Sequence, residues 1–196
     1  MVITSEIVGD VFDSPENSVL IHSCNTLGSW GAGVAASFKA RYPQAYNKYR
    51  NHCLLPSHEN ELAGTCLLIE PSDTGHARYW VACLFTSRGF GRNADNEVEI
   101  VKNTERSLAD LSTKLVEVKR QNRSVGGCFS VRINSGLFGV SWELTKPVVS
   151  ASDADITVVA LSSCTPVPPQ TVPCIRGLRG LRHVSKTVRG LVVRRR

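Results

Sequence analysis

The chain has 196 residues, the size of one domain or of one domain with an appendage, so a multidomain assembly is excluded. Hydrophobic residues make up 42% of it and charged residues 20%, which excludes wholesale disorder and a fibrous repeat. The formal net charge is +6, but eight of the 23 basic residues and none of the 17 acidic ones lie beyond residue 162. The part before that point is therefore slightly acidic.

In chain order, short apolar or β-branched runs predict strands at 2–8, 19–23, 65–70, 79–86, 130–134 and 156–161. Helical spacing predicts helices at 31–49, 96–119 and 142–150, with Pro43 breaking the first and Pro147 interrupting the third. The helix at 96–119 is expected to bury the stripe Val98, Val101, Leu108, Leu111, Leu115 and Val118. This alternation predicts an α/β protein, a three-layer α/β/α domain over residues 1–161 with a mixed, mostly parallel sheet.

The composition changes after residue 161, where a proline cluster precedes a run rich in Leu, Arg and Gly. We expect this tail, residues 162–196, to be a disordered extension or translated sequence that was never selected to fold.

No apolar run is long enough to cross a membrane, and the N-terminal residues do not follow the order of a signal peptide. We therefore expect a soluble protein of the cytoplasm or nucleus without a membrane partner. Seven cysteines are scattered without a Cys-x-x-Cys pair or a matching histidine spacing, so we expect reduced thiols and no metal.

Three segments place glycine or small polar residues where a predicted buried strand ends, which is where open α/β sheets bind ligands. The first contains Gly9 and Asp10. A carboxylate there could accept a hydrogen bond from an amino group such as that of adenine. As a single residue, however, Asp10 is more often a turn former or helix cap.

The second segment runs from His22-Ser23-Cys24-Asn25 into a glycine-rich stretch that opens a helix, residues 28–35. Glycines at the mouth of a helix leave backbone N–H groups uncovered, so a phosphate can meet those donors and the helix dipole. The Walker pattern and Gly-x-Gly-x-x-Gly are both missing, which argues against a P-loop hydrolase and a Rossmann dehydrogenase. Alternatively, Gly31 and Gly33 merely permit a tight turn and close packing.

The third segment, residues 133–140, is another strand that enters a glycine-punctuated turn. Two such loops on one sheet edge could clamp a diphosphate from both sides. Neither loop contains Lys or Arg, so we expect backbone dipoles rather than side-chain charges to hold the anion.

Together these motifs closely resemble the macrodomain superfamily, and its nearest branch is that of the fungal ADP-ribose 1″-phosphate phosphatases. The likeness covers residues 1–161. The motifs that carry it are Val-Gly-Asp at 8–10, Ile-His-Ser-Cys-Asn at 21–25, Gly-Ser-Trp-Gly-Ala-Gly-Val-Ala at 28–35, Arg-Tyr-Pro at 41–43, Cys-Leu-Phe-Thr-Ser at 83–87 and Ile-Asn-Ser-Gly-Leu-Phe-Gly-Val at 133–140.

The resemblance implies a cleft for ADP-ribose, with Gly9 and Asp10 toward adenine and with Ser23, Cys24 and Asn25 toward the distal ribose. Two loops would hold the diphosphate. The first consists of Trp30, Gly31, Ala32, Gly33, Val34 and Ala35, and the second of Asn134, Ser135, Gly136, Leu137, Phe138, Gly139 and Val140. Phe138 would pack against the distal ribose, although it could equally be an ordinary core aromatic.

The implied reaction is hydrolysis of ADP-ribose 1″-phosphate to ADP-ribose and inorganic phosphate, which clears a by-product of tRNA splicing. No side chain is an obvious phosphoryl acceptor, so we expect the loops to position the substrate, Asn25 to orient the ribose and a water to attack, with no cofactor. His22 is the candidate acid or base by residue type. Strand alternation also allows it to point away into the sheet as a structural histidine.

Three alternatives stay open at this stage. A related hydrolase removes ADP-ribose from protein glutamates, but the Lys and Asp of that branch correspond here to Ser87 and Phe138. A non-catalytic ADP-ribose reader would carry the same binding residues. A nucleic-acid-binding role for the basic tail is disfavoured because the tail lacks aromatics, and we expect a monomer with a small-molecule substrate.

Overall fold

The computed structural model describes residues 5–55, 61–71 and 79–161. Expectations that fall on residues 1–4, 56–60, 72–78 and 162–196, including those about the tail, lie outside the described residues. The strands are β1 (Glu6–Val8), β2 (Val19–Asn25), β3 (Cys66–Ile69), β4 (Trp80–Ser87), β5 (Cys128–Ser130) and β6 (Ile156–Ala160). The helices are α1 (Gly33–Arg41), α2 (Pro43–Cys53), α3 (Glu97–Arg120) and α4 (Trp142–Ser150).

The six strands form one sheet in the order β1-β6-β5-β2-β4-β3. Every neighbouring pair is parallel except β3 and β4, which are antiparallel. The carboxyl ends of five strands therefore meet at one edge of the sheet. This confirms the expected mixed, mostly parallel sheet.

Strand alternation divides the core into two layers, one on each face of the sheet. In β2, Ile21 packs toward α3 and α4 in one cluster, whereas Leu20 packs toward α1 and α2 in the other. Phe38 of α1 and Tyr49 of α2 are completely buried in this second cluster. The predicted three-layer architecture is therefore confirmed.

Pro43 breaks the helical segment as predicted, but helical structure resumes at once. It occupies the first turn of α2, where its missing N–H would have had no partner in the helix. Pro147, in contrast, does not interrupt α4, which continues to Ser150, so that prediction is wrong. A proline at this position removes one backbone hydrogen bond near the end of a short helix, and three residues follow it.

Two further sequence predictions need correction. The strand predicted at 130–134 ends at Ser130, because the chain then bends and Asn134 adopts a left-handed backbone with φ +64°. In α3 the predicted stripe is wrong at its start, since Val98 is 75% exposed. Its place on the buried face is taken by Ile100, Asn103 and Thr104, which are buried.

None of the described helices is both long and apolar enough to cross a membrane.

Candidate active site

A cavity of about 1010 Å³ lies at the carboxyl edge of the sheet. Its walls come from the ends of β1, β2 and β6, from the loops that follow β2, β4 and β5, and from one side of α1. Most residues that the sequence predicted for a ligand meet there. These are Gly9, Asp10, Ser23, Cys24, Asn25, Trp30, Gly31, Ala32, Gly33, Val34, Ala35, Asn134, Ser135, Gly136, Leu137 and Phe138.

The first loop, residues 30–35, leads directly into the N-terminus of α1. Gly33 has φ +58°, a left-handed conformation that favours glycine, and Ala32 offers no side chain to cap the helix. No described residue accepts a hydrogen bond from the backbone N–H groups of residues 31–35. The loop therefore borders the cavity with uncommitted donors and the positive end of a helix dipole.

The second loop, residues 134–140, is closed by hydrogen bonds between its own ends. Val140 N–H donates to the Asn134 carbonyl at 3.2 Å, and Gly139 N–H donates to the Gly136 carbonyl at 3.0 Å. Within the described ranges, the N–H groups of residues 136–138 have no acceptor. Gly139 and the buried Val140 therefore complete the loop but do not line the cavity, unlike the other predicted members.

The two loops touch each other. Leu137 of the second loop lies so close to Gly33 of the first that a Cβ built on Gly33 would be 3.3 Å from Leu137 Cδ1. Their uncommitted amides thus border the same cavity.

Asp10 lies at the β1 end of the cavity and already has two partners. Its Oδ1 accepts from Phe12 N–H at 3.0 Å and so caps a short 3₁₀ helix, and its Oδ2 lies 3.7 Å from Arg41 Nη2. Asp10 therefore does cap this short helix. The carboxylate nevertheless lines the cavity and is 38% exposed, so it can still accept a hydrogen bond from a ligand.

Asn25 lies at the end of β2, where the register with β4 shifts by one residue. Its Oδ1 accepts from Leu27 N–H at 2.9 Å, and its Nδ2 donates to the Ser29 carbonyl at 2.7 Å. Tyr49 donates its hydroxyl proton to the Asn25 carbonyl at 2.7 Å. The second Nδ2 proton has no partner among the described residues, so the amide is fixed in place with one donor to spare.

His22 lies behind the cavity wall and does not line it. Its ring is completely buried, stacks on Phe38 at 4.1 Å and contacts Trp30 edge-on at 4.8 Å. Cys24, on the same face of β2 but nearer its carboxyl end, lines the cavity, whereas Phe38 and Trp30 cover the ring of His22. His22 therefore lies with the aromatic core, as the alternative of a structural histidine anticipated.

Cys24 combines burial with a cavity-lining position and has polar neighbours. Its Sγ lies 3.6 Å from both ring nitrogens of His22. Burial opposes its ionisation, but the hydrogen bond with Cys83 and the nearby His22 outweigh burial and lower the pKa of Cys24 to about 5. Burial and the Cys24 sulfur raise the pKa of Cys83 well above its usual range.

The ligand atoms of His22, Cys24 and Cys83 lie within 4.8 Å of one another, which makes them the sole candidate metal group in the part of the chain that the structure describes. No fourth His, Cys, Asp or Glu joins them among the described residues, and all three side chains are buried, so we treat the group as a packed thiol cluster.

Several residues line the cavity in addition to those predicted to bind a ligand. Arg41 and Arg132 line the cavity, and each is paired, Arg41 with Asp10 and Arg132 with Glu6 at 2.6 Å. The Arg41 guanidinium also lies 4.4 Å from the Phe12 ring centre. No local motif signals Arg132, whereas the Arg-Tyr-Pro motif did include Arg41.

Phe90 also lines the cavity from the loop that follows β4. Ser87, at the end of β4, is buried and accepts a hydrogen bond from Asp95 N–H at 2.9 Å, which closes that loop. Ser87 thus has a structural contact rather than a place in the cavity wall.

Comparison with known proteins identifies the family. The model of the Macro domain family matches residues 21–149, so the chain belongs to the macrodomain family. Two curated relatives are both named ADP-ribose 1″-phosphate phosphatase. The protein of Aspergillus fumigatus is 39% identical over 79% of this chain and 92% of its own, and that of Aspergillus oryzae is 37% identical over 79% and 91%.

Solved structures agree on the fold. The macrodomain of Mycobacterium tuberculosis DarG superposes with a TM-score of 0.60 at 18% identity, covering 80% of this chain and 97% of that one. Thermosipho africanus DarTG, solved in complex with ADP-ribose, gives a TM-score of 0.59 at 17% identity over 82% of this chain and 42% of that one.

Proposed function

We propose that this macrodomain is a phosphatase that hydrolyses ADP-ribose 1″-phosphate to ADP-ribose and inorganic phosphate, the activity for which its curated fungal relatives are named. The observation that carries the proposal is the contact between two uncharged loops whose free amides border one cavity. In cells this reaction would clear a by-product of tRNA splicing.

Backbone amides are the natural binding groups for the diphosphate at this site. The cavity-lining cations are already paired, Arg41 with Asp10 and Arg132 with Glu6, so their charges are partly neutralised. The amides of residues 31–35 and 136–138 have no such partners among the described residues. Fixed dipoles of this kind stabilise an anion without having to reorganise first.

The expected positions of the adenine and the distal ribose follow from the order of the strands in the sheet. Asp10, at the β1 end, would accept from the adenine amino group, while Asn25, at the β2 end, would donate its spare Nδ2 proton to the distal ribose. Ser23, Cys24 and Phe138 would form the wall around that ribose. The terminal phosphate would then lie beyond Asn25.

In the hydrolytic step, a water oxygen bonds to phosphorus, the bond between phosphorus and the ribose oxygen breaks, and that oxygen takes up a proton. Because His22 lies behind the wall, we do not assign the proton transfer to it. The residues named above accelerate the step by orientation and by stabilising negative charge.

The experiment compares ADP-ribose 1″-phosphate, a protein carrying ADP-ribose on glutamate and a generic aryl phosphate, each assayed with the full chain. We expect inorganic phosphate from the first substrate, without added metal, and no comparable release from the aryl phosphate. Release of ADP-ribose from the protein at a greater rate would assign the related hydrolase activity instead. Calorimetric binding of ADP-ribose with no turnover of any substrate would assign a reader.

We further propose that the enzyme acts as a monomer in the cytoplasm or nucleus and that nucleic acid is not its partner. Sedimentation of the purified chain tests the oligomeric state, and fluorescence microscopy of a tagged copy tests the location. Removal of residues 162–196 should leave phosphate release intact if the tail has no part in the reaction.

A further inference from the structure

The middle of α3 buries polar side chains where an amphipathic helix normally buries apolar ones. Asn103, Thr104 and Ser107 are all completely buried, whereas Leu108 and Leu111 continue the same face as ordinary core residues. Burying a polar group costs free energy unless a hydrogen bond compensates for it. The partners of these side chains therefore indicate what the polar stretch is for.

Two of the three make only local or structural contacts. Ser107 Oγ donates to the Asn103 carbonyl at 2.7 Å within the helix, and Asn103 Nδ2 donates to the Thr86 carbonyl at the end of β4 at 3.3 Å. These bonds secure α3 to itself and to the sheet.

Thr104 differs because its hydroxyl joins the helix to the second loop. Its Oγ1 donates to the Ile100 carbonyl at 2.7 Å and accepts from Asn134 Nδ2 at 2.8 Å. Asn134 is 2% exposed, so its side-chain amide has no access to solvent as an alternative partner. Among the described residues, this is the one hydrogen bond from the Asn134 side chain.

Asn134 controls the shape of the second loop. It adopts φ +64°, an unusual conformation for a residue other than glycine, and its carbonyl accepts the closing hydrogen bond from Val140 N–H. A residue held in such a conformation depends on its surroundings to stay there. The orientation of Asn134 in turn fixes where the amides of residues 136–138 lie at the cavity.

We propose that Thr104 is a positioning residue that holds the second loop in its anion-binding shape through Asn134. The inference rests on the proposed function only for the prediction about KM and kcat; the prediction about Kd requires only that the second loop binds the diphosphate of ADP-ribose. Thr104 itself touches neither the cavity nor the substrate. Loss of its hydroxyl is therefore expected to weaken binding of the diphosphate equally in the ground state and in the transition state.

The test compares Thr104→Val, which keeps the shape but removes the acceptor, with Thr104→Ser, which retains a hydroxyl. Thr113→Val is the matched control, because Thr113 Oγ1 makes the same type of bond to the Ala109 carbonyl at 3.1 Å on the exposed side of α3. We expect Thr104→Val to raise the Kd for ADP-ribose and the KM for ADP-ribose 1″-phosphate about tenfold, with kcat changed less than threefold. Thr104→Ser and Thr113→Val should stay within twofold of the native chain.

Affinity is measured well below the thermal midpoint of each variant, so that a loss of stability alone does not alter it. If Thr104→Val does not fold, Asn134→Gly tests the same link, because glycine accepts the positive φ while removing the amide; it should raise Kd to a similar extent. Where both variants fold, the double variant should have the same Kd as each single variant, because both substitutions break the same hydrogen bond between Asn134 and Thr104. Folded Thr104→Val or Asn134→Gly with native Kd, or fully additive effects, would overturn the proposal.

The two proposals fail in different ways. If the native chain binds ADP-ribose but releases no phosphate, the proposed function fails while the Kd comparison still tests Thr104.

Discussion

Leu137 lies against the backbone of Gly33, at a distance that would leave only 3.3 Å between Leu137 Cδ1 and a Cβ added to Gly33. This contact joins the loop after β2 to the loop after β5 across the carboxyl edge of the sheet. Both loops lack positive side chains, so their joint affinity for a diphosphate depends on how closely and in what direction their amides approach it.

A methyl group at Gly33 is expected to weaken ligand binding. Gly33→Ala introduces strain at φ +58° and presses on Leu137, so we predict a Kd for ADP-ribose about tenfold higher by calorimetry. Gly91→Ala is the matched control, because Gly91 has φ +60° but nothing within 4 Å and does not line the cavity. Both variants should lose about 1 to 2 kcal/mol of unfolding free energy, whereas Gly91→Ala should retain native affinity. Equal affinity in both variants would show that the contact with Leu137 is irrelevant to binding.

Loss of the Asn25 amide should lower turnover, and it should also lower the free energy of unfolding because its hydrogen bonds to Leu27 and Ser29 are lost. Asn25→Ala is predicted to lower phosphate release about 100-fold, the usual consequence of removing a well-placed donor. Tyr49→Phe provides the comparison, since it removes the hydroxyl that donates to Asn25 and leaves the amide in place. We expect this variant to lose about 1 kcal/mol of unfolding free energy and to keep phosphate release within about threefold. A normal rate for folded Asn25→Ala would remove Asn25 from the mechanism.

Replacement of His22 should leave the chemistry intact. The ring is buried between Phe38 and Trp30, so His22→Phe preserves an aromatic group in that position and removes both nitrogens. We predict phosphate release within about threefold of the native rate, whereas loss of a true acid or base typically costs about 100-fold or more. A fall of that size in a folded variant, with loss of one limb of the pH profile, would restore His22 as the proton-transfer group.

Cys24 should react with alkylating agents in an unusual pH range. Because its pKa is lowered to about 5, the thiolate is already formed at neutral pH, and its rate of alkylation should change little between pH 6.5 and 9. The rate for an ordinary thiol rises over that interval as it loses its proton. Bound ADP-ribose should protect Cys24, which mass spectrometry of the modified peptide would detect. A rate that climbs through pH 8 to 9 would contradict the lowered pKa.

The sheet and the two loops could be predicted from sequence because each depends on a local signal. β2 begins with three apolar residues, β4 is mostly apolar, and both are almost wholly buried, while the glycines of both loops lie in the segments that follow strands. Pro43 likewise marks the boundary between α1 and α2, because proline favours the first turn of a helix.

The errors arose where tertiary structure replaced the usual local pattern. Asn103 and Thr104 occupy buried positions of α3 where apolar residues are usual, so the apolar pattern alone predicts burial of Val98, which is exposed. Asn134 ends the strand pattern early by taking a left-handed conformation, which depends on a partner 30 residues away along the chain. Contacts between residues far apart along the chain produce no periodic pattern in the sequence.

The cavity cations show the same limit. Arg132 forms an ion pair with Glu6, which lies 126 residues away along the chain, so no local sequence pattern predicts the pair. Strand alternation leaves the role of His22 open, and the contacts of its ring with Phe38 and Trp30 place it in the core.

The decisive measurement is phosphate release from ADP-ribose 1″-phosphate by the native chain, run to completion without added metal. We expect one inorganic phosphate and one ADP-ribose for each substrate consumed, with Gly33→Ala slower than the native chain at low substrate concentration and Gly91→Ala indistinguishable from it. Absence of phosphate release by the native chain, or equal rates for all three at low substrate, would contradict this expectation.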